Sequence, residues 1–186
     1  MSSEAVYRLG QTFDEFVAGA GEHAALLRAV ARRTVVPNDV ADGIRSIGGQ
    51  WHLRVLTEDW CGDSTNSLPV IARLAADAGN VDLRILKRDE HPALMDAHLA
   101  VSGARAIPVV MVLDEAFEEK GWWGSRPRAL QALVSTTWKD LSKEDRYREV
   151  RHWYVSDKGV STAREIGALI ARIAESAPAG SADAAV

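Results

Sequence analysis

Two strand-like runs flanking a helical stretch constrain this chain more than any other feature. Trp51–Glu58 (WHLRVLTE) sets Leu53, Val55 and Thr57 on one face, and Val81–Arg88 (VDLRILKR) alternates Val81, Leu83 and Ile85 against polar neighbours. Between them, Gly62–Ala78 repeats Leu68, Ile71, Ala72, Leu74 and Ala75 at helical spacing, and Gly79-Asn80 closes it. A strand, a helix and a strand in so short a span predict parallel pairing with a right-handed crossover. HPALMDAHLAV then reads as a short helix with Pro92 in its first turn, and SGARAIP as a loop. VVMVL is a buried strand, EAFEEKGWWG its antiparallel return arm, and Arg126–Trp138 another helix. The expected class is α/β: a central four-stranded mixed sheet with helices on both faces.

Helical segments lie on either side of this core. Thr12 caps a helix expected from Phe13 to about Arg33, and Asp39 a shorter one through Ile47. Lys143–Trp153 and Thr162–Ala174, the second capped by Ser161, follow the core, with a break near SDKG. The expected organisation is an N-terminal helical extension (1–50) packed on the core (51–140), a C-terminal helical extension (141–176) and a small, polar, frayed tail (177–186). No internal repeat is visible.

Composition removes several function classes. A chain of 186 residues with 47% hydrophobic residues supports one compact domain with decorations. Its net charge of -4 offers no large basic footprint for nucleic acid. The densest basic stretch, Lys139–Arg151, is interleaved with Asp140, Glu144, Asp145 and Glu149 and reads as a solvated helix face. The start lacks a basic segment followed by an apolar run, and the longest apolar run, Ile107–Leu113, falls far short of the roughly 20 residues a membrane helix needs. Cys61 is the only cysteine, so no internal disulfide can form, and no Cys/His cluster has zinc-site spacing. A soluble protein of the reducing cytoplasm, with no membrane partner, is expected.

Cys61 sits in EDWCGDS, where the first strand gives way to the helix. With ARAIPVV (Ala104–Val110) and the LDEAFEEKGWWGSRP hairpin, WCGDS (Trp60–Ser64) resembles the thioredoxin family, whose motif is Trp-Cys-Gly-Pro-Cys and whose Ile-Pro bond is cis and faces the active cysteine. KRDEHPALMDAHL, IPVVMVLDE and GWWGSRP are similar to a bacterial thioredoxin-like subfamily with Trp-Cys-Gly-Asp-Cys, here with serine in place of the second cysteine. The resemblance spans about Trp51–Trp138. It implies the thioredoxin-like fold, a cis Ile107-Pro108 bond presenting backbone groups to a peptide or small thiol, and Trp60 shielding the sulfur.

At a helix start, unpaired N–H groups and the helix dipole favour thiolate, the nucleophilic form. Gly62 leaves the approach to the sulfur open. Ser64, three residues on, is expected to donate a hydrogen bond to the thiolate, yet it cannot resolve a mixed disulfide, because an alcohol does not displace a thiolate at neutral pH. Asp63 opposes the thiolate but stabilises the helix start. The acid that thioredoxins place six residues before the cysteine is replaced by Val55.

The expected chemistry is monothiol exchange through Cys61, with Ser64 assisting and Trp60, Gly62, Asp63, Ile107 and Pro108 lining the substrate groove. Its partners would be a disulfide-bearing protein or a small thiol such as glutathione, together with an external thiol reductant. No metal or cofactor is called for. The alternatives are a redox-inactive thioredoxin-fold binding module with Cys61 an inert remnant, or a dithiol oxidoreductase if Ser64 is an engineered replacement of cysteine. Arg105 and Arg126 could receive a ligand carboxylate or simply be solvated. His91 and His98 lack further ligands and read as structural. Trp122 and Trp123 should divide, one inward and one outward.

Overall fold

The computed structural model describes residues 1–176. Strand β1 (Trp51–Thr57) lies at the centre of a four-stranded sheet, and every one of its residues is buried. It pairs in parallel with β2 (Val81–Lys87), Val55 opposite Ile85, and antiparallel with β3 (Val109–Leu113), Val55 opposite Val110. Strand β4 (Glu119–Gly124) completes the order β2-β1-β3-β4 by pairing antiparallel with β3. The mixed four-stranded sheet is thus the one expected, with a parallel β1/β2 pair joined through a helix and an antiparallel β3/β4 hairpin.

Each sheet face buries its own cluster. One face carries Leu53, Val55, Ile85, Val110 and Val112 against Leu68, Ile71 and Leu74 of α5 (Gly62–Ala78). The other carries Leu56, Leu86, Met111 and Leu113 against Tyr7 of α1 (Ser3–Arg8) and Met95 of α6 (Pro92–Asp96). Trp123 points into the first cluster, while Trp122 on the opposite face stays 38% exposed.

The expected 13–33 helix is two helices, α2 (Phe13–Gly19) and α3 (Ala24–Arg33). Gly21 has φ +56°, a left-handed value that stops an α-helix, and a 3-10 turn follows. The apolar periodicity nevertheless runs through the break, because Phe16, Val17, Ala20, Ala24 and Leu27 all face one cluster. Thr12 caps α2 as expected: its hydroxyl accepts the Glu15 N–H and the Glu15 carboxylate accepts the Thr12 N–H. Helix α4 (Asn38–Ile47) starts after Pro37, so Asp39 sits in its first turn and pairs with Arg164 instead of capping. The backbone of Gln11 bonds reciprocally to Ile85, covering part of the β2 edge.

Helix α7 (Arg128–Ser135) is shorter than expected, and its first N–H is held by Glu165, whose carboxylate also accepts the Trp123 indole N–H. Helix α8 (Lys143–Asp157) packs Val150 and Tyr154 on Leu130 of α7, then turns at Lys158-Gly159 into α9 (Val160–Ser176). Ser161 is not the cap of α9 but lies inside it, with its N–H and hydroxyl held by Asp157. Helix α9 is built into the main core through Ala163, Ile166 and Ile170, and its Gly167 lets Val40 of α4 approach closely. The frayed tail expected at 177–186 lies outside the described residues. Among the described residues, no helix is long and apolar enough to cross a membrane.

Candidate functional site

Cys61 is the N-cap of α5, one residue before the first helical turn, and is half-buried. Its N–H is given to the Glu58 carbonyl at 3.3 Å, and its own carbonyl accepts the Thr65 N–H and hydroxyl, which starts the helix. The sulfur meets the Ile107 carbonyl at 3.4 Å, the thiol donating. That carbonyl belongs to the Ile107-Pro108 peptide, which is cis. Both Ile107 and Pro108 are buried and enter β3 directly. The neighbouring strand comes in just as closely: a Cβ on Gly124 would collide with the Pro108 carbonyl oxygen. The sulfur and the proline loop, 46 residues apart, are therefore joined through the central strands.

The remaining groove residues surround the sulfur unequally. Trp60 is 54% exposed, with the Arg88 guanidinium over its ring at 5.1 Å. Arg88 also donates to the Arg105 carbonyl, which ties the end of β2 to the proline loop. Gly62 is exposed, and nothing lies where its side chain would stand. Ser64 departs from expectation. It points inward at 1% exposure, and its hydroxyl bonds to neither Cys61 nor any other described group. Cys61 is the N-cap, with extended backbone, whereas Ser64 sits inside the first turn with its side chain among the buried residues of α5.

Asp63 has a different occupation from the one its position implies. Arg126 grips one carboxylate oxygen through two nitrogens at 2.8 Å, and the Tyr154 hydroxyl donates to the other at 3.0 Å. Burial alone would discourage the Arg126 charge, but the Asp63 hydrogen bond and charge outweigh it and hold the guanidinium more firmly protonated than usual. Burial, reinforced by the Asp63 charge, pushes the Tyr154 hydroxyl above its ordinary range, so it stays a neutral donor. Arg126 is thus a structural partner of the motif and not a solvated side chain. Arg105 pairs with Asp96 on the surface. Tyr154 was not legible as a site residue: it lies 91 residues from Asp63, and only its place on the inward stripe of α8 marks it.

Cys61 opens on a cleft of about 650 Å³ between the start of α5, α7 and α8. His23 and Leu26 form one wall, and Lys143, Arg146, Tyr147, Val150 and Arg151 of α8 form the other. His98 lies on the far face of the sheet, buried between the Leu94 carbonyl at 2.7 Å and Glu119 at 2.6 Å, where Glu119 also holds the buried Arg54.

Comparisons with known proteins agree with this architecture. A family model described as thioredoxin matches residues 10–145, so its reach includes α2 to α4 and exceeds the expected 51–138. A protein of unknown function from Pseudomonas aeruginosa shares the fold with a TM-score of 0.72 at 21% identity, covering 92% of this chain and 99% of its own. An HIV epitope-scaffold does so with a TM-score of 0.68 at 23% identity, covering 96% of this chain and all of its own. No curated protein matches. With the family model covering most of the chain, and a cysteine at the helix start facing a cis-proline in the expected sheet, the chain belongs to the thioredoxin family.

Proposed function

We propose that this protein is a monothiol exchange protein of a reducing compartment, with Cys61 as its only nucleophile. The Cys61 thiolate attacks one sulfur of a disulfide. A new bond forms between Sγ and that sulfur, the old S–S bond breaks, and the leaving thiolate takes a proton from solvent. An incoming external thiolate then attacks the adduct's disulfide, joins the transferred sulfur and returns Cys61 as thiolate. The electron count balances, since one disulfide is consumed and another is made. Trp60 and the Ile107-Pro108 loop bound the space beside the sulfur, and open space above Gly62 leaves a line of approach.

One observation carries the reading: the lone sulfur is placed at a helix start, beside the cis-proline loop, and opens on a cleft large enough for a ligand. Ser64, buried and without sulfur, limits the chemistry to one-cysteine exchange. Alkylation by iodoacetamide at neutral pH, followed by intact mass, tests it. The folded protein should react several-fold faster than a model thiol such as N-acetylcysteine, and a Cys61→Ser variant should not react. A rate equal to the model thiol's would mean an inert cysteine.

A further inference from the structure

The structure assigns the cleft beside Cys61 to a small thiol or disulfide carrying at least two carboxylates, a substrate class that rests on the exchange reading above. Its walls hold three cationic side chains, Lys143, Arg146 and Arg151, beside the paired Arg126 and Asp63. That carboxylate is already engaged by Arg126 and Tyr154, so it does not oppose an incoming anion. Lys143, Arg146 and Arg151 make no ion pair among the described residues. What sets them apart is their gathering on one wall of one cleft, in a molecule whose net charge is -4.

Helix α8 shows how this imbalance is built. Positions 143, 146, 147, 150 and 151 stand at i, i+3, i+4, i+7 and i+8, so they form a single stripe, and all of them line the cleft. At that spacing a packing helix would normally be apolar. Here only Tyr147 and Val150 are, and the other positions are cations. Of the acids interleaved in the same helix, Asp145 and Glu149 face Arg148, which is not part of the cleft. The solvated face expected for this stretch is therefore sorted, with cations toward Cys61. A volume of about 650 Å³ falls within the range of small-molecule sites. A cleft with one sign of charge and low-dielectric walls also raises the local concentration of its counter-ion.

The test uses the full chain and three disulfides of similar length: dithiodipropionate with two carboxylates, cystamine with two ammonium groups, and neutral hydroxyethyl disulfide. Rates of adduct formation at Cys61 are read by mass and divided by each reagent's rate with a model thiol, which removes differences in leaving group. The wild-type protein should favour dithiodipropionate over cystamine, and rising salt should erase the preference. In Lys143→Glu/Arg146→Glu/Arg151→Glu the ratio of the two rates should fall by about tenfold or more. The milder Lys143→Gln/Arg146→Gln/Arg151→Gln variant should move it in the same direction, which keeps the test intact if charge reversal impairs folding. Reaction with all three disulfides at a ratio that neither salt nor the substitutions change overturns the assignment and leaves the exchange reading standing. A clear preference for an acidic peptide disulfide over dithiodipropionate overturns the small-molecule assignment in favour of a protein substrate. No adduct with any disulfide overturns both.

Discussion

The most informative single residue is Asp63. Sequence places it beside the nucleophile, as a charge working against the thiolate. The fold turns it into a fastener: its carboxylate joins the start of α5 to Arg126 beyond the hairpin and to Tyr154 of α8. Its side chain is only 11% exposed, so removing its counter-charge strands a largely buried anion. Arg126→Ala should therefore cost about 1–3 kcal/mol in urea unfolding, and Tyr154→Phe about 1 kcal/mol. Two near-neutral results would mean that the cluster is solvated. Ser64 makes the complementary point. The resembled motif ends in cysteine, and the serine present here is expected to donate to the Cys61 thiolate, yet its hydroxyl is buried and unused. Ser64→Cys should restore a Cys-X-X-Cys pair, so thiol titration after mild oxidation should fall from two reactive thiols to none. It should also shorten the life of any mixed disulfide on Cys61. Two persistent thiols would mean that position 64 lies out of reach of the Cys61 sulfur. Cys61 and Pro108 were legible because short motifs mark them; Tyr154 was not, because its contact spans 91 residues.

Among elements, the strands and α5 were the most readable, because period-two and period-3.6 patterns are local. Helix breaks were the least. The Gly19–Gly21 turn falls inside an unbroken apolar period, since both α2 and α3 feed one core. Nor does any local signal announce that Glu165 of α9 caps α7. The link between β4 and the turn after α6 gives an element-scale prediction. The Glu119 hydrogen bond raises the His98 pKa above 6.5, more than burial lowers it. A raised folded value means that the protonated pair contributes stability fully below about pH 6.5 and loses it as pH rises through the elevated value. Urea midpoints of the wild type should show this decline toward alkaline pH, and His98→Gln should remove that component. An unchanged pH profile in the variant would contradict the ion pair.

At the scale of the whole molecule, the extensions do more than decorate. The family model reaches back to residue 10, α9 supplies Ala163, Ile166 and Ile170 to the main core, and α8 roofs the cleft over Cys61. Composition gives only a net charge of -4; the folded arrangement collects three unpaired cations along the cleft on which Cys61 opens. The claim on which the rest depends is that Cys61 accepts and releases a thiol. The direct measurement is an intact-mass time course of the full chain with oxidised glutathione, followed by an excess of a second thiol. One glutathione should add to Cys61, none to Cys61→Ser, and the second thiol should release it completely. A Cys61 that stays unmodified, or an adduct that the second thiol cannot remove, would contradict that claim.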